Sequence, residues 1–579
     1  MRLGLDFGTS TCQAAIWTAD GAVRRPLPLG SDGVTPYLPS DAFWSWGTGR
    51  LVGEEAELAV RSQADGLLLP SAKRYVRFGP WRTAHDLNAR IPRSLPQWPP
   101  DAPGPLEVSS RLVNETLNRA YAMLLRRGAV VDRAAFNALP LQVSCPAEAD
   151  ASWRSALLQV CREAGMEQVT YADVVDEPIC AGVAHMAAMG RRSGEFVVYD
   201  YGGGTFDAAW IAVEFGQDAL RVLVLSCVGD SELGGNDVDR ELQQVLVGKV
   251  AREAGTSSWN LSRLVAADPV AAAEWRLQTR QAKEELSFSA QVRVDGLQLR
   301  LSRLIGGDSD RVAATVTRPE FEVIFETHFE RTLAILDRLA ARYCHVMRLE
   351  RSDFRRMTDR LDGVLLSGGM SQVPYVRQRL GQIVGHERVI LPQAIGFQDC
   401  VSVGASHPRD YEQVNQSRRS YGVDLVGIDA TGIAVGRVPL WSSFEATHQW
   451  WQEAIGVWLG QSREVSPPGN AEHVRIAFLR PDGEEIQATH YLRTTAGGQD
   501  GHGAVAARGS RLQISLGADS LCTIRVMDEG ISYCPIDVPW LSVAQRERLE
   551  AHVRRLRRSE TDARAGEVAS IMDRPWWQD

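Results

Sequence analysis

Three short segments carry side chains suited to gripping phosphate and metal. The first is Asp6-Phe7-Gly8-Thr9-Ser10. An Asp at a strand end followed by a glycine turn can hold a hydrated magnesium ion, while the turn's N–H groups and hydroxyls face phosphate oxygens. Alone it is an Asp-x-Gly turn of a kind many hairpins contain. The second is Asp200-Tyr201-Gly202-Gly203-Gly204-Thr205-Phe206-Asp207. Three glycines let the backbone approach a triphosphate closely. Thr205 adds a hydroxyl, and Asp200 and Asp207 add oxygen ligands for metal. A glycine-rich turn with a carboxylate on each side is a far more specific signal. The third, residues 363–374 (GVLLSGGMSQVP), is a buried strand entering the Gly368-Gly369 turn and then a helix, a common place for a nucleotide to lie.

The elements that must position these segments follow from hydrophobic spacing. Up to about residue 405 short apolar strands alternate with amphipathic helices, which predicts α/β architecture. Residues 3–6 and 13–17 flank the first turn as a hairpin, and residues 196–200 and 206–213 flank the second. Two hairpins of one design, about 200 residues apart, suggest two related lobes. Residues 91–105 hold six prolines and read as a surface excursion, neither strand nor helix. A helix is expected over 108–127, stopped by Gly128. Residues 407–419 are polar and linker-like. From 421 to 540 short runs broken by Pro-Asp-Gly and Asp-Glu-Gly turns are β-rich. A capping box at Ser542 and Gln545 precedes Leu549, Val553 and Leu556 at helical spacing, and residues 559–579 read as a frayed tail.

Composition sets bounds. The 579 residues carry 63 Lys and Arg against 72 Asp and Glu, a net charge of −9. That balance gives no general attraction to nucleic acid or to an anionic membrane. No run approaches the ~18 apolar residues of a membrane helix. The N-terminus lacks a signal-peptide apolar core, so a cytoplasmic protein is expected. Nine scattered cysteines with no CxxC pair read as reduced thiols rather than as disulfides or a zinc site.

Taken together, in this order and spacing, the three phosphate segments resemble the actin-like ATPase superfamily, and further segments resemble the heat-shock protein 70 (DnaK-type) family. These are Ser71-Ala72-Lys73-Arg74, Glu107-Val108-Ser109-Ser110, Asp176-Glu177-Pro178, Gly229-Asp230 with Leu233-Gly234-Gly235-Asn236-Asp237, and Ala282-Lys283 with Leu286-Ser287. The resemblance runs from residue 1 to about 556. It implies a two-lobed, ribonuclease-H-like ATPase domain over 1–406, a polar linker over 407–419, a β-sandwich substrate-binding-like domain over 420–540, and a short helix and tail over 541–579.

The resemblance further implies an ATP-dependent chaperone-like protein that hydrolyses ATP slowly and couples nucleotide state to polypeptide binding. Asp6, Asp200 and Asp207 would serve magnesium, with potassium as a second candidate ion. Lys73, Glu177, Asp200 and Thr205 would be catalytic. ATP or ADP would lie against Gly8, Thr9, Ser10, Gly202, Gly203, Gly204, Thr205, Gly234, Gly235, Lys283, Ser287, Gly368, Gly369 and Gln372. Unfolded or specific client polypeptides, a J-domain-type co-chaperone and a nucleotide-exchange factor are the implied partners. Pro146 and Arg154 match the family's allosteric relay. A non-hydrolysing scaffold or switch of the same fold is the alternative reading. A small-molecule kinase and an actin-like filament protein are the more distant ones.

Four departures stand out. Glu284 and Gln372 occupy places where the family commonly puts an Arg or another long side chain against the adenine, and Arg280 replaces its usual ribose-binding Glu. The linker lacks the leucine-rich run. Trp441, Trp450, Trp451 and Trp458 fall where peptide-binding loops are expected, and residues 512–528 resemble the end of the β domain. Only residues 542–558, ending in the basic cluster Arg554, Arg555, Arg557 and Arg558, remain of the helical lid.

Overall fold

In the computed structural model, the residues described are 1–407 apart from 19–25, 46–48, 63, 77–86, 89–90, 92–94, 148, 150, 170–172, 190–192, 216–219, 254, 295–313 and 347–348. Beyond them, 422–428, 434–442, 462–468, 471, 473–479, 491–494, 505–506, 511–516, 522–527 and 531–536 are described.

The first hairpin forms as the alternation predicts. Arg2–Phe7 pairs antiparallel with Thr11–Trp17, setting Asp6 opposite Gln13. The sheet built on it runs Leu38–Pro39, Thr11–Trp17, Arg2–Phe7, Leu141–Cys145, Val174–Asp176. The second hairpin pairs Gly194–Tyr201 with Phe206–Phe215, Asp200 facing Asp207. Its sheet runs Leu220–Asp230, Phe206–Phe215, Gly194–Tyr201, Gly363–Ser367, Val389–Ile390. The two orders are the same topology. In each, the first strand of the hairpin lies at the centre, its antiparallel partner and a further strand antiparallel to that partner lie on one side, and two parallel strands lie on the other. The parallel strands Leu141–Cys145 and Gly363–Ser367 are buried along their whole length, as parallel strands covered on both faces must be.

Two helices join the sheets. Glu177–Met189 and Cys400–Ser406 contribute to one core cluster with Ala15 of the first sheet and Val198, Ile211 and Leu365 of the second. The approach is close: a Cβ on Gly4 would sit 2.3 Å from the Ser402 carbonyl oxygen, and one on Gly404 1.7 Å from that of Cys180. Cys12, Cys161, Cys180, Cys344 and Cys400 are buried thiols, as expected.

The expected helix over 108–127 spans Pro105–Arg126, with Pro105 in its first turn. Gly128 ends it at φ +68°, where a side chain would be strained. The proline-rich segment before it corrects the sequence reading. Its described residues before the helix are irregular and several, 96–97 and 100–101, are exposed as expected, but the segment is anchored inward: Trp98 is fully buried. Its indole N–H donates to the Pro103 carbonyl at 3.0 Å, and the Asn88 side chain holds both Trp98 backbone groups, at 2.6 and 2.7 Å. Proline excludes regular elements, not burial.

After residue 407 the described strands form two antiparallel sheets. One is Ala434–Ser442, Gly422–Ile428, His473–Leu479, Val505–Ala506; the other is Ser462–Val465, Leu512–Leu516, Cys522–Val526, Ile531–Ile536, Tyr491–Thr494. The linker after His407, Trp450, Trp451, Trp458, the 542–558 helix with its arginines, and the tail lie outside the described residues, as does the side chain of Trp441. No helix among the described residues is long and apolar enough to cross a membrane.

Candidate functional site

The two hairpin turns meet at the mouth between the sheets. A Cβ on Gly203 would fall 2.0 Å from Ser10 Oγ, and one on Gly204 2.5 Å from Thr9 Oγ1. Behind them Gly234 presses on Gly204, where a Cβ would stand 2.4 Å from backbone carbon. Glycine is therefore required for one turn to lie on the other. The backbone locks the stack: Gly235 N–H donates to the Gly202 carbonyl at 3.1 Å and Asn236 N–H to that of Gly203 at 2.7 Å. The result is an open cleft with room of about 140 Å³. Asp6, Gly8, Thr9, Ser10, Lys73, Glu177, Asp200, Gly202, Gly203, Thr205, Lys283, Ser287, Gly368, Gly369 and Gln372 all line it. Gly204, Asp207, Gly234 and Gly235, also expected at the site, are not among its lining residues.

At the floor of the cleft sits a buried cluster. Lys73, only 4% exposed, donates to Glu177 Oε1 at 2.5 Å. Glu177 opens its helix directly after the strand Val174–Asp176, so the strand end aims it at Lys73. Asp6 accepts from Ser144 Oγ at 2.9 Å. Asp207 accepts from the Ala147 N–H at 2.8 Å. Burial raises Asp6 to about 7, with Lys73 pulling down and Glu177 pushing up. Burial, then Glu177 and Asp6, raise Asp200 to about 8. Asp207 is pushed well above the usual carboxylate range by burial, then by Glu177 and Asp200. Burial works to lower Lys73, but Glu177, Asp6 and Asp207 leave it above its usual value.

Four carboxylates thus face one ammonium, an excess of negative charge that desolvation makes costly. All-oxygen donors in this arrangement suit a hard divalent cation. No group of three or more His, Cys, Asp or Glu among the described residues is placed to ligate a metal directly.

The opposite end of the cleft is built by the Pro269–Leu286 helix and the Gly368 turn. Asp268 caps that helix, accepting from the N–H groups of Val270 and Ala271. Lys283 lines the cleft but is ion-paired to Asp239 Oδ1 at 2.9 Å and donates to the Gly235 carbonyl at 3.2 Å. Gly368 adopts φ +82°, and a Cβ there would meet the Tyr201 carbonyl oxygen at 2.4 Å. Glu284 and Gln372 do line the cleft. Arg280 does not line it and is engaged elsewhere: it donates to Asp41 Oδ2 at 2.8 Å and to Glu57 Oε1 at 2.5 Å. Arg276 joins it on Asp41 Oδ1 at 3.2 Å. Beside this clamp Phe43, Ala56, Ala59 and Val60 pack on Ala273 and Leu277. Sequence reading missed Phe288, Phe397 and Gln398, which also line the cleft. Phe288 directly follows Ser287, and that adjacency is the one signal that could have found it.

The family described as Hsp70 protein matches residues 123–408 of this chain. The Chaperone protein HscA homolog of Methylibium petroleiphilum is 28% identical over 441 residues, 75% of this chain and 62% of that protein. The protein of the same name from Burkholderia pseudomallei strain 668 is 27% identical over 454 residues, with the same shares. Residues 123–408 thus match the heat-shock protein 70 family, and three quarters of the chain is similar to chaperones of the HscA name. The match spans 62% of these relatives' length. Arg154 is buried and ion-paired to Asp176, and it donates to the Val174 carbonyl at 2.8 Å. Asp176 immediately precedes Glu177, the partner of Lys73.

Proposed function

We propose that the chain is a magnesium-dependent ATPase that uses nucleotide state to govern polypeptide binding by its C-terminal β domain, a chaperone-type activity. The observation that carries this reading is the buried Lys73–Glu177 pair set among Asp6, Asp200 and Asp207 beneath two stacked phosphate-type turns. Magnesium, when bound, would neutralise phosphate charge; Asp6 and Asp200 would hold it through its waters, and Asp207 would steady the turn from behind. Thr9, Ser10, Gly202 and Gly203 would hold phosphate oxygens by N–H and hydroxyl donation. Lys73 would place its ammonium against the γ-phosphoryl oxygens, where charge must be stabilised during transfer. Glu177 would keep Lys73 oriented and, with Thr205, align the attacking water. Change at Glu177 would pass to Asp176 and Arg154, biasing how the two halves of the chain associate.

A J-domain-type co-chaperone, a nucleotide-exchange factor and a cytoplasmic setting belong to the same proposal. The family match over residues 123–408 and the name of the relatives support it. The test is single-turnover hydrolysis of ATP against GTP with magnesium, together with dissociation of a fluorescent unfolded peptide with each nucleotide. ATP hydrolysis with nucleotide-dependent peptide release supports the reading. Tight nucleotide binding with neither would assign the chain to the non-hydrolysing switch.

A further inference from the structure

We propose that Phe288 is the platform on which the nucleobase stacks in this chain, and that the site consequently accepts adenine and guanine nucleotides with similar affinity. The inference rests on the nucleotide reading above and names how the base is held. Phe288 lines the cleft yet is 76% exposed, the one large hydrophobic side chain among the described residues to combine the two. Its backbone is fixed: Phe288 N–H donates to the Glu285 carbonyl at 2.9 Å, and Ser289 N–H to the same oxygen at 2.8 Å. The ring is therefore presented from a rigid helix end, not from a wandering loop.

Among the described residues no arginine lines the cleft, and the cations that do, Lys73 and Lys283, are already ion-paired. The flat apolar face that a base needs is thus supplied by Phe288. Around it stand groups that read a base edge without choosing one base. Gln372 offers an amide donor and an amide acceptor, and the Glu284 carboxylate accepts from a ring N–H or an exocyclic amino group. Adenine and guanine both present such donors, and both stack. Aromatic stacking tolerates any base because every base has a π face.

The test measures binding of ATP, GTP and inorganic tripolyphosphate, each with magnesium, to the full chain and to Phe288→Ala and Phe288→Trp. Wild type should bind ATP and GTP within about tenfold of each other. Phe288→Ala should weaken both by roughly 5- to 150-fold, the range of one lost base stack, and leave tripolyphosphate unchanged. Phe288→Trp should keep nucleotide affinity, and its fluorescence should respond to ATP and not to tripolyphosphate. Unchanged ATP binding by Phe288→Ala, or a large preference of wild type for one base, overturns the platform while leaving the nucleotide site standing. Failure of wild type to bind nucleotide and tripolyphosphate alike overturns the nucleotide reading itself. Phe288 is exposed, so matching melting temperatures should show that the variants are folded.

Discussion

Replacing Lys73 by Ala removes the one ammonium among the described residues that faces Asp6, Glu177, Asp200 and Asp207. Two magnitudes follow. Breaking a buried ion pair from one side costs about 3–5 kcal/mol when the remaining charge has no escape. Here the charge left behind is Glu177, buried among Asp6, Asp200 and Asp207, so the measured loss should fall in that range. On the reaction, removing one preorganised donor to transition-state charge costs about 2.7–4 kcal/mol, or 10²- to 10³-fold in rate. Nucleotide affinity should move by no more than about tenfold, ~1.4 kcal/mol, since the ammonium acts mainly on the γ-phosphoryl in the transition state. The assay is single-turnover hydrolysis under saturating magnesium and ATP, with calorimetric affinity and urea denaturation on the same preparations. A Lys73→Ala protein that hydrolyses ATP at the wild-type rate would refute the reasoning and remove Lys73 from the mechanism.

Three further outcomes are expected. Thr205→Ala should slow hydrolysis and hold the ATP-bound protease-cleavage pattern for longer; a variant matching wild type in both makes the glycine turn purely structural. Asp6 and Asp200 have folded pKa values of about 7 and about 8 against an ordinary 3.8. The ligand-free fold therefore binds protons that the unfolded chain has released, and its stability should fall as pH rises from 3.8 through about 8. Urea midpoints should show this decline, magnesium nucleotide should flatten it, and a midpoint that climbs across that window contradicts the cluster. Adenine nucleotide should bind more weakly than is usual for the family and depend strongly on magnesium. Glu284→Arg with Gln372→Arg should then tighten ATP by restoring a stacking cation worth on the order of 0.5–2 kcal/mol; calorimetry that finds tight wild-type binding, unimproved by the arginines, refutes it.

What sequence could and could not disclose follows local physics. Both hairpins were legible because alternating apolar residues bracket glycine turns, and the helix ending at Gly128 because its stop lies in the chain itself. Lys73 and Glu177 needed the family resemblance. Lys73 sits on a four-residue helix, too short for any periodicity, and its partner is 104 residues away. Arg280 looked like a misfit at the ribose. Its actual engagement depends on Asp41, 239 residues earlier, and no spacing rule reaches that far. The proline-rich stretch was misjudged because its composition speaks about backbone shape, while its burial is decided by a single tryptophan.

That tryptophan governs more than its own neighbourhood. A helix of four residues cannot nucleate in isolation, so residues 73–76 keep their shape only through what presses on them. Tyr75 meets Trp98 edge to face at 5.0 Å and donates its hydroxyl to the Pro96 carbonyl at 2.7 Å. The placement of the Lys73 ammonium is thus leased from a loop that touches no phosphate. Damage to that loop should look, to an enzymologist, like an active-site lesion: turnover lost, nucleotide still held, and nothing altered among the residues that line the cleft.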